Sequence, residues 1–230
     1  MDSGAGGKTR YYLLTLVKEK QKERLSNSQY VEKEGQMETN PRLDVAQNRK
    51  AVKYSRSEMA YRVMWGAGKL FFRFSPRICF GWRRLWLRLF GASVGKEVHV
   101  YNTALIYMPW NLEIGDWSSI GEQVYVYNLG KITIGARVTI SHRAHLCAGT
   151  HDYSLPDLPL QKPFIHIDDQ AWICADAFVG PGVEVGEGAI VGARGVAVTN
   201  VLPWMIVAGN PAKPIKKRVM SEKSGIGVNQ

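Results

Sequence analysis

From Val94 to Ala197 an aliphatic or small apolar residue returns every six positions, and this period constrains the fold more than any other feature of the chain. The repeats start at Val94 and Val100, at Ile114, Ile120 and Val126, at Ile134, Ile140 and Leu146, and at Ile167, Ile173, Val179, Val185, Val191 and Ala197. Four positions after most of these starts stand small or β-branched residues, among them Val98, Ser118, Val138, Thr150, Ala171, Ala189 and Gly195. A helix would space apolar residues three and four apart and a half-buried strand every two, so neither explains a strict six. A solenoid does: each hexad forms one short strand and a turn, with the leading aliphatic side chain inward and the small residue letting the chain turn a corner. Three such sides close a coil, and stacked coils bury a continuous aliphatic column and pair parallel strands above and below. The expected fold is mainly β, a parallel β-helix whose terminal coils require caps.

The register slips after Ile106, after Val126 and after His151, and only the last slip opens a long insertion, residues 152–163, with Pro156, Pro159 and Pro163. Loops of that length are often functional. Upstream, residues 1–56 are rich in Lys, Glu, Gln, Asn and Ser and read as a poorly ordered polar tail. Residues 57–93 read as a basic, aromatic helical segment divided at Pro76, with Ile78, Trp82, Leu85 and Leu89 on one helical face and Arg77, Arg84 and Arg88 on another. Two uses for it stay open: covering the first coil, or binding an anionic membrane surface. The β-helix itself is placed at 94–202 and a C-terminal segment and tail at 203–230.

Charge narrows the function classes once it is divided along the chain. The net charge is +10, yet residues 96–230 hold 11 basic and 12 acidic side chains, whereas residues 61–95 hold 7 basic and none acidic. A basic excess confined to one segment, with no nucleic-acid motif, argues against a nucleic-acid partner. Cys79, Cys147 and Cys174 have neither disulfide nor zinc-ligand spacing. No apolar run approaches the roughly 18 residues of a spanning helix, and the stretch Tyr11–Val17 lacks a leader cleavage site. The expected location is cytoplasmic, with peripheral contact at the inner membrane surface as a further option.

The hexads from Val94 to Ala197 resemble the left-handed parallel β-helix of the hexapeptide-repeat acyltransferases. More narrowly, Tyr127-Asn128-Leu129-Gly130, Cys147 through Ser154, Gly209 through Pro214 and the helix ending Gly81-Trp82-Arg83-Arg84 resemble the colanic-acid and exopolysaccharide acetyltransferase branch, with coverage from roughly residue 60 to 218. The left hand is taken from this resemblance, because parallel crossovers are ordinarily right-handed. It further implies a homotrimer that moves acetyl from acetyl-CoA to a sugar hydroxyl in exopolysaccharide assembly, on a free sugar or a lipid-linked oligosaccharide.

His151 is the candidate general base. An alcohol is a poor nucleophile at neutral pH, and a histidine that removes its proton contributes about 10²- to 10⁴-fold. The bland reading of His151 is a histidine at a loop junction; the surrounding motif favours the base. By family position the amide of Ala175 would stabilise the oxyanion, Ala193 and Thr199 would line pantetheine, and Lys213 and Lys216 would meet phosphate, although a solvated basic tail is the plainer reading of those lysines. Asn200 departs from the frequent Lys there, and Cys174 from the common Gly. Asn128 resembles an asparagine that contacts the acceptor or the base. Cys174 reads as packing, and Asp152 as a turn residue. His142, His145 and His166 raise the β-helical carbonic anhydrases as a rival, but the histidine preceding His142 is His99, far from where an upstream ligand belongs, so no metal is expected. The competing class is a non-enzymatic β-helix scaffold docked to membrane or partner through its N-terminal segment.

Overall fold

The computed structural model describes residues 41–221, and the strands between Ser93 and Lys217 are two to five residues long. Most fall into three parallel sheets that the chain visits in turn. The first face is built from Ser93–Val94, Leu112–Ile114, Ile132–Ile134, Ile165–Ile167 and Glu184–Val185. The second holds His99–Val100, Ser119–Ile120, Thr139–Ile140, Trp172–Ile173, Ile190–Val191 and Met205–Ala208. The third holds Leu105–Ile106, Tyr125–Tyr127, His145–Cys147, Phe178–Val179 and Val196–Ala197. Every leading residue of the hexads is buried, none more than 7% exposed, and they stack in register as Val100, Ile120, Ile140, Ile173, Val191 and Val207 do on the second face.

The corners divide a task that the sequence assigns to one residue. The small fourth-following residues are buried, with Thr150 the exception because the chain leaves the coil there. The turn itself is made one position earlier, by residues in the left-handed backbone region: Glu97, Trp117, Gln123, Arg137, Arg143, Gln170, Asp176 and Arg194, with φ between 48 and 61°. Glycine takes that left-handed conformation at Gly182 and Gly188. The hexad therefore accepts modest backbone strain at most corners, offset by the buried residue that follows.

Among the described residues, three helices precede the coils: α1, Val45–Lys50; α2, Arg56–Arg73; and α3, Phe80–Leu89. The expected disorder of residues 1–40 lies outside the described residues. Residues 44–56 differ from that expectation, since they carry α1 and dock on the 152–163 loop, with Asp44 N–H donating to the Pro156 carbonyl at 2.7 Å. The start of α2 has a capping box in which Ser55 and Glu58 satisfy each other's backbone amides.

The orientation of α3 inverts ordinary amphipathic packing. Its apolar residues Trp82, Leu85 and Leu89, with Ile78 just before the helix, look outward, Ile78 being 84% exposed, while its arginines face the β-helix. An uncovered coil presents carbonyl oxygens, so the complementary surface is a set of donors. Arg83 donates to Val100 O, Arg84 to Val98 O, Arg88 to Val94 O and Gly95 O, and the indole of α2's Trp65 to Ile106 O. Trp65, Phe72 and Leu87 are buried with the first coil. Leu70, Phe71, Phe74, Pro76 and Trp82 line an apolar groove of about 590 Å³ on the outer side.

Candidate active site

At the end of the third coil the chain runs from Cys147 past buried Ala148 into Thr150–His151, which pairs antiparallel with Leu160–Gln161 and so opens the proline-rich insertion as a hairpin. The His151 side chain is exposed, and its Nδ1 lies 2.6 Å from the carbonyl oxygen of Leu158. A carbonyl can only accept, so Nδ1 carries the proton and the Nε2 lone pair is left open to solvent. That is the tautomer a general base needs. Asp152 does not orient it: its carboxylate accepts from the Ser154 amide and hydroxyl and from Gln161, and the Ser154 hydrogen bonds hold its carboxyl below the ordinary range. The orienting group is a main-chain oxygen, which no side-chain motif marks.

The amides expected to meet the donor follow a positional rule. At two first-face hexads, the backbone N–H two residues after the leading aliphatic residue is capped by an aspartate of the coil above: Lys96 by Asp116 at 2.7 Å and Ala136 by Asp169 at 2.8 Å. Ala175 and Ala193 hold the same position at the corner between the second and third faces. The residues above them are Ala193 and Gly209, which have no side-chain oxygen, and neither amide has a partner among the described residues. Arg194 N–H donates to Ala175 O at 3.0 Å, which keeps the two levels one strand spacing, about 4.8 Å, apart. Lys213 pairs with Ala208 one level further along this edge and Lys216 with Ile206; both lysines are exposed.

His151 and Thr199 belong to the other end of the third face, where the chain turns towards the first. Within one chain, then, His151 and Ala175 stand at opposite ends of a side six residues long, up to about 20 Å if fully extended. Asn128 is turned inside: fully buried, it accepts from Met108 N–H at 2.9 Å and donates to Met108 O, so its amide is consumed by the coil.

Burial pushes the Cys147 and Cys174 thiols up, away from thiolate character. His145, stacked on Tyr125 and edge-on to Phe178, has an Nε2 without a partner among the described residues, and burial pulls its pKa down. His166 pairs with Asp168 at 2.7 Å. Among the described residues no three His, Cys, Asp or Glu side chains converge to hold a metal ion.

No protein-family model matches the chain. It is 38% identical over 161 residues to the putative colanic acid biosynthesis acetyltransferase WcaF of Escherichia coli (strain K12), covering 70% of this chain and 88% of that protein. Among solved structures it is similar to a maltose O-acetyltransferase from Clostridium difficile 630, with TM-score 0.65, 22% identity and coverage of 72% and 90%. The hexapeptide-repeat acetyltransferase VCA0836 from Vibrio cholerae O1 biovar eltor, solved with acetyl coenzyme A, gives TM-score 0.67, 22% identity and coverage of 74% and 93%. Such identities speak for the fold, which together with the parallel coils is the left-handed β-helix that the repeat resembles.

Proposed function

The chain belongs to the hexapeptide-repeat acetyltransferases, and from that membership we propose that it transfers acetyl from acetyl-CoA to a sugar hydroxyl with His151 as general base. The observation that carries the role of His151 is its contact with Leu158, which leaves Nε2 free to take a proton. As the acceptor oxygen attacks the thioester carbon, Nε2 removes its proton. The oxyanion that forms is stabilised by the uncapped Ala175 amide; the C–S bond then breaks and the proton passes to the departing thiolate. Coenzyme A runs along the edge of Ala193 towards Lys213 and Lys216, which meet its phosphates, with Thr199 lining the arm from a neighbouring copy. Because base and amide sit at opposite ends of one face, the site is completed between copies, and a homotrimer closes three such clefts. Asn128 contributes by holding the coil beneath the hairpin, through Met108.

The acceptor is an exopolysaccharide intermediate of the colanic-acid kind, carried on a lipid. The outward apolar face of α3 and its groove, in a segment with 7 basic and no acidic side chains over residues 61–95, suits seating at the anionic inner membrane surface. Among the described residues no helix is long and apolar enough to cross a membrane.

Calorimetric titration with acetyl-CoA, followed by transfer assays on sugar acceptors, tests the proposal. Saturable binding weakened by Lys213→Glu/Lys216→Glu is expected. A folded protein that binds no acetyl-CoA would overturn it in favour of a scaffold.

A further inference from the structure

One oxygen in the insertion serves two side chains that are remote in sequence. The Leu158 carbonyl accepts from His151 Nδ1 at 2.6 Å and from Asn48 Nδ2 at 2.7 Å, and the same Asn48 amide also reaches Asp157 O. Lys53 Nζ donates to Asn48 Oδ1 at 2.6 Å, which fixes the amide with its NH₂ towards the loop. Lys162 Nζ returns to Lys53 O at 3.0 Å, and Asp44 N–H holds Pro156 O, so both sides of the contact are tied. Leu158 itself has φ 46°, a left-handed backbone conformation that a branched residue adopts only when its surroundings enforce it.

We propose that Asn48 is a positioning residue for His151, acting through the Leu158 carbonyl that they share. The inference rests on the reading of His151 as the base. A carbonyl has two lone pairs, and here each is engaged. With Asn48 in place, the oxygen is held where the imidazole can donate to it from Nδ1. Without Asn48, the other ties of the loop, at Pro156 and Lys162, do not reach the Leu158 oxygen, and only the imidazole itself is left to hold it. The ring is then free to carry its proton on Nε2, and an Nε2–H has no lone pair to offer an acceptor hydroxyl. The stretch around α1, compositionally a tail, thus becomes a brace for the catalytic hairpin.

The test is histidine ¹⁵N NMR on the full chain, with the His151 ring assigned by its loss in His151→Gln. The wild type is expected to show a protonated Nδ1. Asn48→Ala should bring in the Nε2–H tautomer and lower kcat by about 10- to 100-fold at unchanged acetyl-CoA affinity. Asn48→Asp keeps the shape but cannot donate, so it should behave like Asn48→Ala; if it behaved like wild type, packing and not donation would be the role, and the proposal would be wrong. Lys53→Met, which leaves Asn48 in place but unoriented, should shift the ring in the same sense. An unchanged tautomer in all three variants would also overturn the proposal. Unchanged transfer in His151→Ala would instead sink His151 as the base, and the NMR readout would still report whether Asn48 controls the ring.

Discussion

The guanidinium of Arg83, fully buried, donates through Nε to the carbonyl of Val100 and through its two terminal nitrogens to Ser75 Oγ, Pro76 O and Arg77 O, all neutral oxygens. The charge has been removed from water without a carboxylate to face it, and burial pulls its pKa down. The compensation is hydrogen bonding through four of its five N–H groups. Arg83→Met keeps the length of the side chain and deletes the donors, orphaning two or more buried acceptors at about 1–3 kcal/mol each. A loss of at least about 2 kcal/mol in urea unfolding is expected. An unchanged midpoint would mean that solvent already reaches Val100 O.

For His151 the expected outcome of replacement by alanine is chemical. Transfer should fall by about 10²- to 10⁴-fold while the circular dichroism spectrum and acetyl-CoA binding stay as they are, because the side chain is exposed and its one side-chain hydrogen bond among the described residues is to a loop. Steady-state kinetics and calorimetry on the same preparation decide it.

The capping rule at the corners yields a designed loss. Ala193→Asp would place a carboxylate above the Ala175 amide as Asp116 stands above that of Lys96. The amide is then satisfied internally, and turnover should drop by about 10²- to 10³-fold, the usual cost of an oxyanion-hole donor. Ala193→Asn, neutral and also able to accept, should show a similar drop, which separates capping from repulsion of the cofactor phosphates. If both variants turn over normally, the Ala175 amide does not stabilise the oxyanion.

His145 makes stability depend on pH. Its folded-state pKa lies below the ordinary 6.5 because burial disfavours the imidazolium. As pH falls below about 6.5, the unfolded chain takes up a proton that the folded one resists. Stability is therefore full above that value and declines on acidification. In thermal melts between pH 7 and 5, His145→Phe, which preserves the stack on Tyr125, should flatten this decline. Parallel curves for both proteins would assign the slope to other groups.

The outward face of α3 can be tested with vesicles. Phe74→Ser/Ile78→Ser should reduce co-sedimentation with anionic liposomes at low salt without altering acetyl-CoA binding, since both side chains point away from the coils. No sedimentation of the wild type with such liposomes would remove membrane seating from the proposed function.

The aliphatic column is legible in the sequence because a stacked coil turns a three-dimensional core into a one-dimensional repeat. Val94 through Ala197 announce their burial by spacing alone. His151 is legible as a residue type in a motif, but its tautomer is not, because the oxygen that sets it belongs to the backbone of Leu158 and is braced from about 110 positions upstream by Asn48. Asn48 sits in a stretch whose composition looks like a tail. Helix α3 misleads for a related reason: hydrophobic periodicity identifies two faces, and the carbonyl-lined coil beneath it selects the arginine face. The motif around Asn128 suggested an outward contact, whereas its amide closes on Met108.

A repeat that pairs with copies of itself has no intrinsic length, and a stack of this kind could in principle continue from one molecule into the next as a filament. At one end, the donors of α2 and α3 occupy the oxygens on which another coil would grow. At the other, the strand Lys213–Lys217 lies antiparallel over Met205–Ala208 and offers to any incoming strand three lysines and a proline, side chains that repel and interrupt such pairing. Lys213 and Lys216, which the proposed function sets against phosphate, thus also stand against fibre growth, and among the described residues the second face has its terminal strand covered by Lys213–Lys217.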